Sequence, residues 1–192
     1  ICSVQVTTTN TAPSISPMTL TGLEDTPEMT GVLIGHDDNP GDSVFFEKMT
    51  ETVHGSVTVD TLSGNVSYIP DANFCGNDAF DFRAADQYGH YADPVTVTLA
   101  VACINDAPNA TNDVLLSSGE MVSIDPTLND TDIDNTYEVQ TLSLSQWTLP
   151  MHGTITTSGN IIAYTPNPSY SGSDMIQYVI QDQSGAVSNT GT

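Results

Sequence analysis

Acidic side chains cluster in short loops of this sequence, and their spacing suits oxygen coordination of a hard cation. The densest run is Asn129-Asp130-Thr131-Asp132-Ile133-Asp134-Asn135. Calcium takes six to eight oxygen ligands from carboxylates, carbonyls and water, so alternating acids in a tight loop fit it. An EF-hand frame would put Asp130, Asp132 and Asp134 at its first, third and fifth positions. Asn135 would then take the glycine position and Thr141 the place of the closing glutamate. With no helical flanks either, the EF-hand is excluded. A second run, His36-Asp37-Asp38-Asn39-Pro40-Gly41-Asp42, is weaker. A lone acid such as Asp60 or Asp93 reads as an exposed loop residue, or as an Asx turn capping its own backbone.

Catalysis finds no such support. There is no G-x-S-x-G elbow, no P-loop and no H-E-x-x-H. Carboxylates are so plentiful that a glycosidase pair could be drawn almost anywhere, so their presence decides nothing. The sequence reads as non-enzymatic. Trp147 stands alone and reads as a core residue rather than a sugar-stacking platform.

The charge balance narrows the partners. Only Lys48 and Arg83 oppose 24 acids, for a net charge of -22. Nucleic acid is excluded, because phosphate binding needs clustered Lys and Arg. An anionic membrane surface is disfavoured for the same reason, and no run approaches the 18 or so apolar residues of a spanning helix. Cations are the natural partners; the alternative is a solvating, salt-tolerant surface without specific metal. The chain opens on Ile1 and reads as a piece of a longer protein.

The acidic loops recur because the chain repeats. Asn10-Thr11-Ala12-Pro13 returns as Asn105-Asp106-Ala107-Pro108, and His54-Gly55-Ser56-Val57 as His152-Gly153-Thr154-Ile155. Tyr68-Ile69-Pro70 returns as Tyr164-Thr165-Pro166, and Asp86-Gln87-Tyr88-Gly89 as Asp182-Gln183-Ser184-Gly185. Phe74 to Asp78 likewise matches Tyr170 to Asp174. The copies span 10–104 and 105–192. Within each, Thr, Val and Ile alternate over short runs bounded by turn residues, as in Val95 to Val101. Ser63-Gly64-Asn65 and Ser158-Gly159-Asn160 mark hairpin turns. About seven short strands per copy predict an all-β Greek-key sandwich.

The copies are unequal. The last strand of the first, about Pro94 to Cys103, finds its counterpart beyond Thr192, so the second copy is expected to lack its C-terminal strand. Residues 1–9, with Ser3-Val4-Gln5-Val6-Thr7-Thr8, read as the remnant strand of a preceding repeat. An open sandwich edge is a pairing hazard, so strand exchange with a neighbouring molecule is expected.

These phrases together resemble the bacterial cadherin-like, Ig-like tandem repeats of large surface and secreted proteins, adhesins among them. The resemblance rests on Glu24-Asp25-Thr26-Pro27, His54-Gly55-Ser56-Val57, Tyr68-Ile69-Pro70-Asp71-Ala72-Asn73-Phe74 and Asn105-Asp106-Ala107-Pro108. It rests equally on Asn129 to Asp134, His152-Gly153-Thr154-Ile155 and Tyr164-Thr165-Pro166. It implies two tandem cadherin-type sandwiches, an extracellular setting and Ca2+ at the junctions. In that frame the loop of Asp130, Asp132 and Asp134 meets the linker of Asn105 and Asp106 and the turn carrying Asp182. The first copy offers Asp37, Asp38 and Asp42, with Asp38 aligned on Asp132, Pro40 opposite Asp134 and Asp42 compensating. Glu24 and Asp25 match the family's acidic pair, Asp86 is the turn acid, and Asp113 has no acidic counterpart.

The Ig-like frame also bears on the cysteines. It brings Cys75, between the fifth and sixth strands, to the same pole as Cys103, at the end of the seventh. A Cys75–Cys103 disulfide is therefore expected in an oxidising compartment, leaving Cys2 over. The alternative is three reduced thiols. The expected role is a calcium-binding stalk or adhesion element of a bacterial surface or secreted protein. Its partners would be adjacent repeats of the same chain and a cell-surface protein or glycan. A carbohydrate-binding accessory module of a secreted polysaccharide-degrading enzyme is the alternative.

Overall fold

Alternation of buried and exposed side chains sets the strands, most plainly in Gly76–Asp86, where every second residue from Asp78 onward is buried. The computed structural model describes residues 9–136 and 139–192. The strand expected at residues 3–8 lies outside them. The chain divides into two compact units, Ile1–Ile104 and Asn105–Thr192.

In the first unit the strands are β1 (Ser14–Ile15), β2 (Met18–Leu23), β3 (Met29–Val32), β4 (Gly35–His36) and β5 (Val44–Lys48). β6 (Gly55–Val59), β7 (Asn65–Pro70), β8 (Gly76–Asp86) and β9 (Val95–Ala102) follow. One sheet has the order β2-β9-β8-β5 and the other β3-β7-β6. They enclose a core of Leu20, Met29, Leu33, Phe46, Val57, Val66, Tyr68, Phe80, Phe82, Val97, Leu99 and their neighbours. This is the all-β sandwich that the alternation predicts. β2 runs parallel to β9, while β9 and β5 flank β8 antiparallel. Short β1 and β4 pair beside the sandwich.

The second unit keeps less of this. Its strands are β10 (Val122–Ile124), β11 (Ser143–Trp147), β12 (Gly153–Ser158), β13 (Ile161–Pro166) and β14 (Tyr178–Gln181). The sheet β10-β13-β12 reproduces β3-β7-β6, and the pair β11-β14 reproduces β5-β8. Among the described residues of 105–192, no strand corresponds to β9. β14 is four residues long where β8 has eleven. The buried cluster shrinks to Ala110, Tyr178 and Ile180, with Leu142 and Leu144 packed against it.

Trp147, expected in the core, is instead 41% exposed. A register shift between Leu144 and Gln146 re-aims the end of β11, and Trp147 pairs opposite Tyr178 at the end of this two-stranded ribbon.

The repeated histidine phrases serve the fold. A Cβ on Gly55 or Gly153 would strike the ring of Tyr68 or Tyr164, and also a backbone carbonyl of Ile69 or Thr165. The histidines before them stack on Phe74 and Tyr170, with ring centroids 4.4 and 4.3 Å apart. Beneath, Asp78 accepts from the amides of Val53 and His54 and from the Tyr68 hydroxyl. Asp174 does the same with Met151, His152 and Tyr164.

Candidate metal sites

In each unit, one short bridge holds the linker beside the acidic loop. In the second unit Asn109 and Thr131 exchange backbone hydrogen bonds of 2.7 and 3.1 Å. That bridge brings Asn105 and Asp106 alongside the turn formed by Asp132 and Asp134, where a 3-10 segment (Ile133–Thr136) begins. The Asp106 amide donates to Asp134 Oδ2 at 2.9 Å. The Asp134 amide donates to Asp132 Oδ1 at 3.0 Å. Asn105 Nδ2 donates to Asp182 Oδ2 at 2.7 Å.

Asp132, Asp134 and Asp182 are 7%, 8% and 3% exposed, a degree of burial that isolated carboxylates rarely show. Asp132 Oδ2 is buried and has no hydrogen-bond donor. Burial first, and then the charges of Asp134, Asp182 and Asp106, push its carboxyl above the ordinary range. Asp182 moves the other way. Burial opposes its ionisation, but Asn105 and the amides of Ala186, Gly185 and Ser184 outweigh that and hold it low.

The first unit builds the same arrangement at its own N-terminal end. The bridge is Ser14 opposite His36. The Thr11 amide donates to Asn39 Oδ1 at 2.9 Å, and the Asn39 amide to Asp37 Oδ1 at 2.8 Å. Asn10 Nδ2 donates to Asp86 Oδ2. These bonds fix the correspondence: Asp37 stands where Asp132 does, and Asn39 where Asp134 does. The expected alignment of Asp38 on Asp132 is thus off by one residue. Asp38 instead projects into solvent, 90% exposed, against His36.

Oxygens of Asp37, Asp42 and Asp86 all lie within 4.8 Å of one another. Asp37 Oδ2 and Asp42 Oδ2 are buried without a donor. Burial opposes the ionisation of Asp86, but bonds from His90, Asn10 and Tyr88 prevail and hold it down to about 2.

The remaining expected ligands make the following contacts within their own units. Asp130 is drawn away from Asp132. Its Oδ1 accepts from the Thr111 amide at 2.7 Å and the Tyr178 hydroxyl at 3.1 Å. Asp113 Oδ2 accepts from the same hydroxyl at 3.1 Å. Burial and these two charges drive the Tyr178 phenol far above its usual value. Asp25 is an exposed turn residue with φ of 57° whose carboxylate caps the Asn73 amide. Glu24 is 1% exposed and accepts from the Ile104 amide at 2.6 Å. It lies at the far end of the first unit, beside the Cys75–Cys103 disulfide, whose Cα atoms are 4.9 Å apart.

Sequence reasoning did not single out Asn10, Asn39 or Gln140. Gln140 Oε1 is another buried oxygen without a donor. It lies three residues before β11 begins, as Asp42 lies two before β5. Its amide gives no charge signal by which a search for acids would find it.

The family model for the bacterial Ig domain matches residues 10–100 and 105–192. No curated protein matches the sequence. Among solved structures, the human desmocollin-1 ectodomain superposes with a TM-score of 0.56 at 12% identity, over 96% of this chain and 36% of that one. The protocadherin gamma B4 extracellular domain gives 0.56 at 14%, over 94% and 32%. Domains 3–6 of protocadherin gamma B2 give 0.51 at 10%, over 93% and 46%. The chain thus spans less than half the length of these ectodomains, and at such identities the likeness is one of fold. Among the described residues no helix is long and apolar enough to cross a membrane. With both copies matched nearly end to end, the chain belongs to the bacterial Ig domain family, as two tandem repeats.

Proposed function

We propose that this chain is a calcium-binding extracellular repeat module, a stalk or adhesion element of a large bacterial surface or secreted protein. The observation that carries the proposal is Asp132. Its Oδ2 is buried without a donor in a pole shared with other carboxylates. A carboxylate so placed needs a cation or a proton.

The donor set fits calcium. Every candidate ligand is an oxygen, with no thiolate among them, which favours a hard ion over zinc. Two ligands bound at about 2.4 Å stand at most about 4.8 Å apart, and Asp37, Asp42 and Asp86 meet that limit. In the second unit Asp106, Asp132, Asp134 and Asp182 would hold the ion. In the first, Asp37, Asp42 and Asp86 would do so. A bound ion would relieve the repulsion among these carboxylates and stiffen the loop that carries them.

Thermal unfolding in millimolar calcium and in chelator tests this. An ion that binds only the folded state stabilises it by about 2.7 kcal/mol at a hundredfold excess over Kd. The melting temperature should rise with calcium and fall with chelator; no shift would defeat the proposal.

A glycan-binding accessory module is the second reading. The exposed Trp147 is the observation that favours it. Glycan-array binding that survives substitution of the acidic loops would put this reading first.

A further inference from the structure

The ladders match the two units residue by residue. In the first, Val44 opens β5 opposite Asp86. In the second, Ser143 pairs with Gln181, so one step further Leu142 comes opposite Asp182. Asp42 lies two residues before Val44, and Gln140 two before Leu142. Gln140 therefore holds the place of Asp42. The glutamines that follow the turn acids agree. Gln87 Nε2 donates to Asp42 Oδ1 at 3.0 Å. Its counterpart Gln183 straddles Gln140, donating to Val139 O at 3.3 Å and to Thr141 Oγ1 at 3.0 Å.

Matched in this way, the two poles present the same unfilled oxygens. Asp37 and Asp132 each accept an amide at Oδ1, from Asn39 and Asp134 respectively, and keep Oδ2 buried without a donor. Asp132 is only 7% exposed, so its open oxygen faces the pole and not water. Asp42 Oδ2 and Gln140 Oε1 are likewise buried without a donor. In the first unit, oxygens at positions 37, 42 and 86 lie within 4.8 Å of one another.

The charges have changed places in step. The first pole has acids at Asp37, Asp42 and Asp86 and an amide at Asn39; the second has acids at Asp132, Asp134 and Asp182 and an amide at Gln140. Where the second pole loses a carboxylate at one position, it gains one at another. A reciprocal exchange of this kind keeps both the charge and the number of oxygens around a shared centre. Leaving a buried amide oxygen without a donor is costly, and amide carbonyls are among the ligands that calcium takes.

We infer that Gln140 Oε1 is a ligand of the second unit's ion, in the place that Asp42 fills in the first. The inference rests on the calcium reading above and adds to it a neutral ligand. The rival role is a donor: turned over, the amide would present Nε2 to the Asp132 carboxylate and hold it in position. A carboxylate at 140 separates the two roles, because it replaces a ligand but repels where a donor is needed.

Melting curves over a calcium series test it, followed by the fluorescence of Trp147, the only tryptophan, which lies in the second unit. The transition rises once calcium exceeds its Kd for the folded state. Outer-shell partners of a metal are worth roughly 10–100-fold in affinity, so the loss of a direct ligand should cost at least about tenfold. Gln140→Leu should therefore need at least about tenfold more calcium for the same rise. In chelator its transition should be unchanged or higher, because a buried oxygen without a donor is gone. Gln140→Glu should melt lower than wild type in chelator, from added repulsion, and rise further with calcium. A Gln140→Leu calcium response that coincides with wild type overturns the inference and leaves the calcium reading standing. So does a Gln140→Glu response weaker than wild type, which assigns Gln140 the donor role and decides the matter even if Gln140→Leu does not fold. A wild-type transition that calcium does not move overturns both.

Discussion

At the scale of single residues, two buried aspartates have opposite linkage to pH. Asp132 has a folded pKa above its ordinary value, so without metal its ionisation opposes folding, and the penalty grows as pH rises through the carboxylate range. Asp132→Asn is expected to stabilise the metal-free chain at neutral pH by up to about 1 kcal/mol and to remove the second unit's calcium response. Calorimetry of the variant with calcium and with chelator measures both. Asp78 is the reverse case. Burial opposes its charge, but amides of Val53, His54 and Ala79 and the Tyr68 hydroxyl prevail and lower its pKa. The stabilisation is present above the ordinary value of 3.8 and is lost as pH falls through the folded pKa. Asp78→Asn should cost about 1.5–3 kcal/mol at neutral pH and flatten the acid limb, measured by urea unfolding at pH 7 and at pH 3. The acids that turned out to share a pole were mostly legible in the sequence, because Asp and Asn in loops stand out. Which of Asp37 and Asp38 points inward was not. Adjacent acids are chemically equivalent, and only the Ser14–His36 bridge decides between them.

At the scale of elements, β8 is the axis of the first unit. Its Asp86 end carries the acidic pole, and its Gly76 end the disulfide, roughly 33 Å away for eleven extended residues. Cys75 precedes β8 directly and Cys103 follows β9, so the bridge pins the end of the β8-β9 ladder. Its 28-residue separation gives an expected loss of about 3–4 kcal/mol in Cys75→Ser, read as a lower urea midpoint with a steeper slope, because the unfolded chain loses its cross-link and exposes more surface. The strands of the first unit follow from alternation in the sequence. Residues 113–118 were harder: Val114-Leu115-Leu116 is as apolar as many strands, but strand structure there needs a neighbour to accept its backbone hydrogen bonds. Trp147 failed for a related reason, since its burial depends on a second layer and on a bulge with no signature in sequence.

For the whole molecule, the two units are expected to differ in stability. Among the described residues, the first buries fourteen apolar residues in one cluster and the second three. Two thermal transitions should result, with the second unit melting first. Trp147 is the only tryptophan and lies in that unit, so its fluorescence should follow the lower transition while far-ultraviolet circular dichroism shows both. The net charge of -22 opposes compaction of each unit, so added salt should raise both transitions even in chelator.

The parallel pairing of β2 with β9 has a mechanical meaning. β2 opens the main sheet and β9 closes it, six paired residues long and pointing the same way. Tension applied at the ends of the first unit therefore pulls the two strands past each other along their length. Their hydrogen bonds lie across that pull and are loaded together in shear, instead of parting one at a time as in an unzipping hairpin. A unit wired in this way resists stretching by the number of its rungs.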